Sequence, residues 1–156
     1  MLRMKPTTTQ QAGFSLIEVL VALLVLAIGL LGILVMQARG LQLNQAGYLQ
    51  SQAMFMAEDI VERIRSNQTA IDSYGIDLED AGDDSAGFCD SIVSSCSDTE
   101  MAAADLFQWK AQLANVLPQG DGRVEIGAAS GNLVPVTVQI QFFQGETYTY
   151  QLETTL

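Results

Sequence analysis

A lone acidic residue stands at the start of a long apolar run, and this run constrains the chain more than any other feature. Glu18 is the last charged residue before Arg39, and every residue from 19 to 36 is apolar or glycine. As a helix, the stretch from Phe14 to Met36 is about 35 Å long, which is enough to cross a bilayer. Because a carboxylate inside such a segment costs about 2.5–3.5 kcal/mol to insert, we expect Glu18 to have a function.

The residues before the run do not have the order of a secretory signal. Arg3 and Lys5 are the only charged residues before Gly13, and both are basic, which favours a cytoplasmic position. A secretory signal places a short apolar region ahead of its cleavage site. A cut after Gly13 would instead precede the apolar run, so the helix would remain as the new N-terminus.

These residues resemble the type IV prepilin family, in which a short leader ends in glycine and Phe-Ser-Leu-Ile-Glu opens an apolar helix. The resemblance implies that a prepilin peptidase cuts between Gly13 and Phe14 and methylates the new amine of Phe14. It also implies that Glu18 contacts the N-terminal ammonium of a neighbouring subunit during assembly. Ser15 and Glu18 also fit a capping box, which is compatible with that contact. A single-span anchor without a filament role is the alternative.

Composition argues against nucleic-acid binding and against catalysis. The formal net charge is −11, and loss of the leader would leave five basic and eighteen acidic side chains. Direct nucleic-acid binding is not expected, because it depends on Lys and Arg neutralising phosphates. The chain has no histidine, which removes the commonest general base and metal ligand. We therefore expect no enzymatic activity, no cofactor and no metal.

Two cysteines and an acidic region mark the middle of the chain. Cys89 and Cys96 have a spacing unlike that of zinc fingers. A disulfide is favoured if the domain lies outside the cytoplasm, and it would contribute about 2–3 kcal/mol. Free thiols or a redox pair are the alternatives.

The region from Asp72 to Asp105 has no basic residue, which indicates a solvated acidic loop, with a calcium site as the alternative.

Hydrophobic periodicity predicts the remaining elements. Apolar residues recur every three or four positions in a second helical half, at Leu49, Ala53, Met56, Ile60 and Ile64. Ser97 and Glu100 fit a capping box that predicts the start of another helix. The apolar face of that helix comprises Leu106, Trp109, Leu113 and Val116. The period then changes to two, with strand residues at Val124, Ile126, Val134, Val136, Val138, Ile140, Phe142, Tyr148, Tyr150 and Leu152. Gln144-Gly145 predicts a turn, and Pro135 should lie near a strand start or on an edge.

These patterns predict an α+β fold in which a long N-terminal helix packs on an antiparallel sheet of at least three strands. The expected segments are a leader over 1–13, a membrane-spanning or filament-core helix over 14–36, an amphipathic half over 37–67 and a globular domain over 68–156. Within that domain we expect an acidic loop over 72–105, a helix over about 98–117 and the sheet over about 122–153.

Within the prepilin family, the chain is most similar to the minor pilins of type IV pili. The resemblance implies a subunit of a priming complex that initiates pilus assembly and can sit at the tip. The implied partners are other minor pilins, the major pilin, the prepilin peptidase, the inner-membrane assembly platform and the membrane. It further implies a single pass through the inner membrane with a periplasmic C-terminal domain before assembly into the surface pilus. A minor pseudopilin of a type II secretion system is the alternative.

Overall fold

One long helix, a second helix and a three-stranded sheet make up the fold, and the expected α+β class is confirmed. The computed structural model describes residues 13, 15–83, 89, 96–131 and 133–156. The leader before Gly13, the proposed new N-terminal residue Phe14 and part of the acidic loop (84–88 and 90–95) lie outside the described residues. The chain divides into two compact units, Met1–Leu43 and Asn44–Leu156.

The elements follow one another in a simple order. Helix α1 spans Leu16–Ser66 and is followed by a short 3₁₀ segment, Gln68–Tyr74. Helix α2 spans Asp98–Val116, and the strands are β1 (Asp121–Ile126), β2 (Pro135–Phe143) and β3 (Thr147–Thr155).

In the first unit, α1 is apolar on all sides and exposed on all sides. Its large side chains from Leu16 to Met36 are each about half or more exposed. The helix is long and apolar enough to cross a membrane, and none of its most apolar window is buried. A helix that is apolar all round needs an apolar environment, which a bilayer or neighbouring helices can supply.

In the second unit, one side of α1 forms part of the core. Its buried residues are Leu49, Ala53, Ala57, Ile60, Val61 and Ile64. The predicted stripe is therefore confirmed at four positions, but Met56 is only half-buried, and Ala57 and Val61 lie in the core instead. The buried side is wider than the predicted stripe because a second row of residues, one position along, also faces the domain. Helix α1 ends where Asn67 leaves the helical conformation (φ −127°, ψ 53°).

The sheet is antiparallel, with β2 between β1 and β3. Its buried face is formed by alternate residues of β2, namely Val136, Val138, Ile140 and Phe142, together with Val124 of β1. Pro135 is the first residue of β2, where a missing N–H is tolerated. Gly145 has a φ of 79° in the turn between β2 and β3, as the Gln144-Gly145 dipeptide predicts.

Helix α2 begins with the predicted capping box and places Trp109 in the core. The Ser97 hydroxyl accepts the Glu100 N–H, and the Glu100 carboxylate accepts the Ser97 N–H at 2.8 Å. Trp109 is fully buried and donates its indole N–H to the Met56 carbonyl oxygen at 2.9 Å, which ties α2 to α1. Val116, predicted to face the core, is 39% exposed. Leu117 is buried in its place, because the chain turns to an extended conformation there.

Gly122 lies against Trp109 so closely that no side chain fits. A Cβ at this position would stand 2.4 Å from the indole ring and 2.7 Å from the Leu113 side chain. Gly122 therefore allows β1 to approach α2, and its role is one of packing.

We expect Gly122→Ala to lower the free energy of unfolding by about 1–3 kcal/mol, because an added methyl in a filled core forces neighbours to shift. Gly75→Ala is the matched control, since nothing lies within 4 Å of its Cβ position and its φ of −67° suits alanine. Urea unfolding in micelles, followed by Trp109 fluorescence, measures both. Equal stability of the two variants would contradict the packing role of Gly122.

Candidate assembly site

Glu18 lies in the first turn of α1 without a partner in the part of the chain that the structure describes. The Ser15 carbonyl oxygen accepts the N–H groups of Glu18 (3.0 Å) and Val19 (3.3 Å). A capping box between Ser15 and Glu18 would direct the Glu18 N–H to the Ser15 hydroxyl, whereas the bond observed goes to the Ser15 carbonyl oxygen. The Glu18 carboxylate is exposed and makes no hydrogen bond or ion pair with any described residue.

An apolar groove runs along the helix from Glu18. It has a volume of about 310 Å³ and is lined by Glu18, Val19, Ala22, Leu23 and Leu26. These positions follow the three- and four-residue spacing of one helix face. A carboxylate at the end of an apolar groove has few ways to be stabilised once water is excluded, and a cation from another chain is the strongest. The arrangement can therefore bind an ammonium group.

The two cysteines are joined. A disulfide links Cys89 and Cys96, whose Cα atoms are 5.8 Å apart, and the described residues include no free cysteine. This agrees with the predicted pairing, and the pair is one that forms in oxidising compartments.

Several acidic residues beside the loop are paired with basic ones, which the sequence pattern did not predict. The Lys110 ammonium bonds to the Asp121 carboxylate at 2.6 Å and to the Asp77 carbonyl oxygen at 2.8 Å. The Arg123 guanidinium pairs with the Asp77 carboxylate at 3.1 Å. Lys110 is buried in α2, four positions after Leu106, and that spacing is the signal that could have placed it on the inner face.

Asp121 receives several hydrogen bonds at one carboxylate. Burial disfavours its charged form, but bonds from the Glu79 N–H, the Lys110 ammonium and the Gly122 N–H outweigh this, so the pKa of Asp121 is lowered. The bond from Glu79 is 2.6 Å long, and Glu79 adopts the left-handed conformation (φ 64°) to make it. Asp121 therefore holds the loop around Asp77 and Glu79 against α2.

A second polar group joins both helices and the 3₁₀ segment. Burial, together with a 2.7 Å hydrogen bond to Asp105, raises the pKa of Tyr74. The Arg63 guanidinium bonds to Asp59 at 2.9 Å and to Asp105 at 3.2 Å. Arg63 lies off the apolar stripe of α1, yet its side chain is only 22% exposed and its charge is paired within the domain.

The described residues hold no group of acidic or cysteine side chains arranged for a metal ion. Asp84 and Asp90 belong to the acidic region for which a calcium site is the alternative, and both lie outside the described residues. The acids that are described at this loop, such as Asp77 and Asp80, hydrogen-bond or pair within the protein.

Two family models match the chain, and they meet end to end. The prokaryotic N-terminal methylation motif matches residues 8–34, and the type IV pilin Tt1218 family matches residues 35–107. The chain is type IV pilin-like. The first match contains Gly13, Phe14 and Glu18, and the second extends from α1 into α2. The sheet lies beyond both matches.

No curated protein and no solved structure matches this pilin-like chain significantly. The family matches support processing by a prepilin peptidase and assembly with other pilins in general terms. A structural subunit fits them better than an enzyme does.

We expect Asp121→Asn to lower the free energy of unfolding by about 2–3 kcal/mol at pH 7, because it leaves the Lys110 ammonium buried without its charge partner. This expected loss of free energy lies at or below the low end of the range for breaking a buried ion pair, since the Asp121 side chain is 29% exposed. Glu125→Gln, in the same strand but 61% exposed, is the matched control and should change little.

This stability difference should depend on pH in one direction. Because the folded-state pKa of Asp121 is lowered, its contribution is complete above the unfolded-state pKa of about 4 and is lost as the pH falls through the folded-state value. The gap between the natural chain and Asp121→Asn should be constant from pH 5 to 8 and shrink below about pH 4. A gap that widens on acidification would contradict the assignment.

Proposed function

We propose that this pilin-like chain is a minor pilin of a type IV pilus and joins the complex that primes pilus assembly. The proposal rests mainly on the carboxylate of Glu18, which has no partner among the described residues. It lies at the end of an apolar groove, within the region matched by the N-terminal methylation motif. A simple membrane anchor has no use for a carboxylate inside its apolar helix. A subunit that must bind an amine of its neighbour needs one.

In the proposed mechanism, a prepilin peptidase cuts after Gly13 and methylates the amine of Phe14. The new ammonium of one subunit then meets the Glu18 carboxylate of the next. In an apolar environment the two charges attract far more strongly than in water, which fixes the axial position of one helix against its neighbour. The apolar surface around Glu18 covers the pair and excludes water.

We propose that the leader stays in the cytoplasm and that the second unit lies in the periplasm before assembly. Arg3 and Lys5 support the first placement through the preference of basic residues for the cytoplasmic side. The Cys89–Cys96 disulfide supports the second, because such bonds persist in oxidising compartments. The chain would then leave the inner membrane for the pilus.

The assignment to a minor pilin is more specific than what the family matches support. It rests on the run from Gly13 to Leu23 and on Ile28–Gly32, which are similar to those of the minor pilin PilV, and on the acidic, cysteine-bearing region. The proposed partners are other minor pilins, the major pilin and the inner-membrane assembly platform. A minor pseudopilin of a type II secretion system is the other candidate, since its leader and helix are similar.

Deletion of the gene followed by complementation tests the proposal. We expect deletion to reduce surface pili and twitching, and the natural chain to restore them. Glu18→Gln should restore neither, because a neutral amide of the same shape cannot pair with an ammonium. Glu58→Gln, an exposed acid of α1 in the second unit, is the matched control and should restore both.

The same strains separate the alternatives. Membrane fractions should contain equal amounts of both variants, and their mass should correspond to an N-terminus at methylated Phe14, which shows that insertion and processing are intact. Full piliation by Glu18→Gln would contradict the pairing. Normal pili together with lost protein secretion in the deletion strain would assign the chain to a pseudopilus.

A further inference from the structure

A groove in the second unit lies between α2 and the loop that follows the 3₁₀ segment. It has a volume of about 320 Å³. Its α2 side includes Phe107, Ala111 and Ala114, whose spacing of four and three residues places them on one face of the helix. Ala111 and Ala114 are exposed, and so is Ala81 on the loop side. The small side chains of these alanines leave room for another chain to approach closely.

The loop side of the groove carries two exposed carboxylates, those of Glu79 and Asp80. The Glu79 carboxylate makes no hydrogen bond or ion pair with any described residue, and the Asp80 carboxylate accepts the Gly82 N–H at 3.0 Å. The loop is held in place because the Glu79 N–H bonds to the Asp121 carboxylate at 2.6 Å. Asp121 also neutralises Lys110, which lines the groove. Two negative charges therefore stand beside an apolar wall, and no described base pairs with them.

Arg39 has the complementary properties, because it is the one described basic residue without an acidic partner. The other described basic residues each pair with a carboxylate, namely Arg63, Arg65, Lys110 and Arg123. The Arg39 guanidinium is exposed and bonds to the Gln42 side-chain oxygen at 3.3 Å. Met36 and Leu43 lie on the same face of α1, three residues before and four residues after Arg39, and are 77% and 74% exposed. The Arg39 segment (residues 36–43) thus presents a cation flanked by apolar groups.

We propose that the groove of one copy of this chain binds the Arg39 segment of a second copy. The Arg39 stem and its apolar neighbours cover the alanines of the groove, as long basic side chains do on apolar surfaces. The guanidinium then donates charge-assisted hydrogen bonds to the carboxylates of Glu79 and Asp80. Two chains of net charge −11 repel each other, but at physiological ionic strength that repulsion is largely screened beyond about 8 Å, whereas these groups are in contact.

The contact joins two different surfaces, a groove and a helix, so each copy can bind one neighbour through each of them. Contacts of this kind close into rings or continue as filaments, according to the rotation between neighbours. The groove therefore adds a link between successive copies that does not use Glu18. This inference goes beyond the proposed function and holds for a pilus and for a pseudopilus alike.

The test places a photo-reactive amino acid, benzoylphenylalanine, at position 111 or 43 of the full chain in membranes. Isotope-labelled and unlabelled chains are mixed, so that mass spectrometry distinguishes bonds between copies. We expect the probe in place of Ala111 to react with the Arg39 segment of another copy, and the probe in place of Leu43 to react with residues 79–81 or 107–114. A probe in place of Gln112, which is exposed on α2 but does not line the groove, is the matched control and should not react with that segment.

The charges are tested with the probe kept at position 43. Glu79→Gln combined with Asp80→Asn should lower the yield of cross-linked dimer about fivefold, which is the upper range for an ion pair at an exposed site. Glu58→Gln, an exposed acid of α1 outside the groove, is the matched control and should leave the yield unchanged. Arg39→Glu should also lower the yield, and mixing it with a chain that carries Glu79→Lys and Asp80→Lys should restore cross-links between the two.

Three outcomes would overturn the proposal. Absence of bonds between copies from both probes would exclude the contact, and bonds from position 111 to a different protein would assign the groove to that protein. An undiminished yield after neutralisation of Glu79 and Asp80 would contradict the charge pairing. Because Glu18 lies outside the contact, Glu18→Gln should leave the yield unchanged, so the test is separate from that of the proposed function.

Discussion

Burial of one side of α1 against the three-stranded sheet is the interaction on which the rest of the second unit depends. The sheet has a single apolar face, formed mainly by β2, and a sheet of this size needs a cover to be stable. Ala53, Ala57, Ile60 and Ile64 are among the core residues that α1 contributes, and α2 adds Trp109 and Leu113. The helix that carries the assembly motif is thus also a core element of the domain.

Helix α1 thus serves in both units, and the surroundings of its charged residues differ between the two. Where α1 is apolar on all sides, its one acid, Glu18, has no partner among the described residues. Within the domain, charged groups that approach the core are paired, as Lys110 is with Asp121 and Arg63 is with Asp105. Since breaking a buried pair is costly, these pairs hold the loops around the core in place. This difference between Glu18, which has no partner among the described residues, and the paired acids of the second unit fits the proposed assembly role of the first and a stabilising role of the others.

Much of the fold could be predicted from the sequence, because period and capping are local signals. The alternation in β2, the turn at Gly145 and the Ser97–Glu100 capping box needed only neighbouring residues. What failed depended on distant contacts. Leu117 occupies the core in place of Val116 where the chain leaves α2 in an extended conformation and the Pro118 carbonyl accepts the Phe143 N–H of β2. Lys110 is buried because the Asp121 carboxylate of β1 pairs with it. At the candidate site, the motif indicated Glu18, but the groove beside it and the bond from its N–H to the Ser15 carbonyl oxygen were visible only in the structure.

Hydrogen exchange on the full chain in micelles, read by mass spectrometry, tests the central claim that α1 is part of the domain core. The amides of α1 from Leu49 to Ile64 should exchange with the same free energy of opening as those of β2, because they form one cooperative unit. Rapid exchange of these α1 amides while β2 remains protected would show that the sheet is stable without the helix, and it would contradict the account.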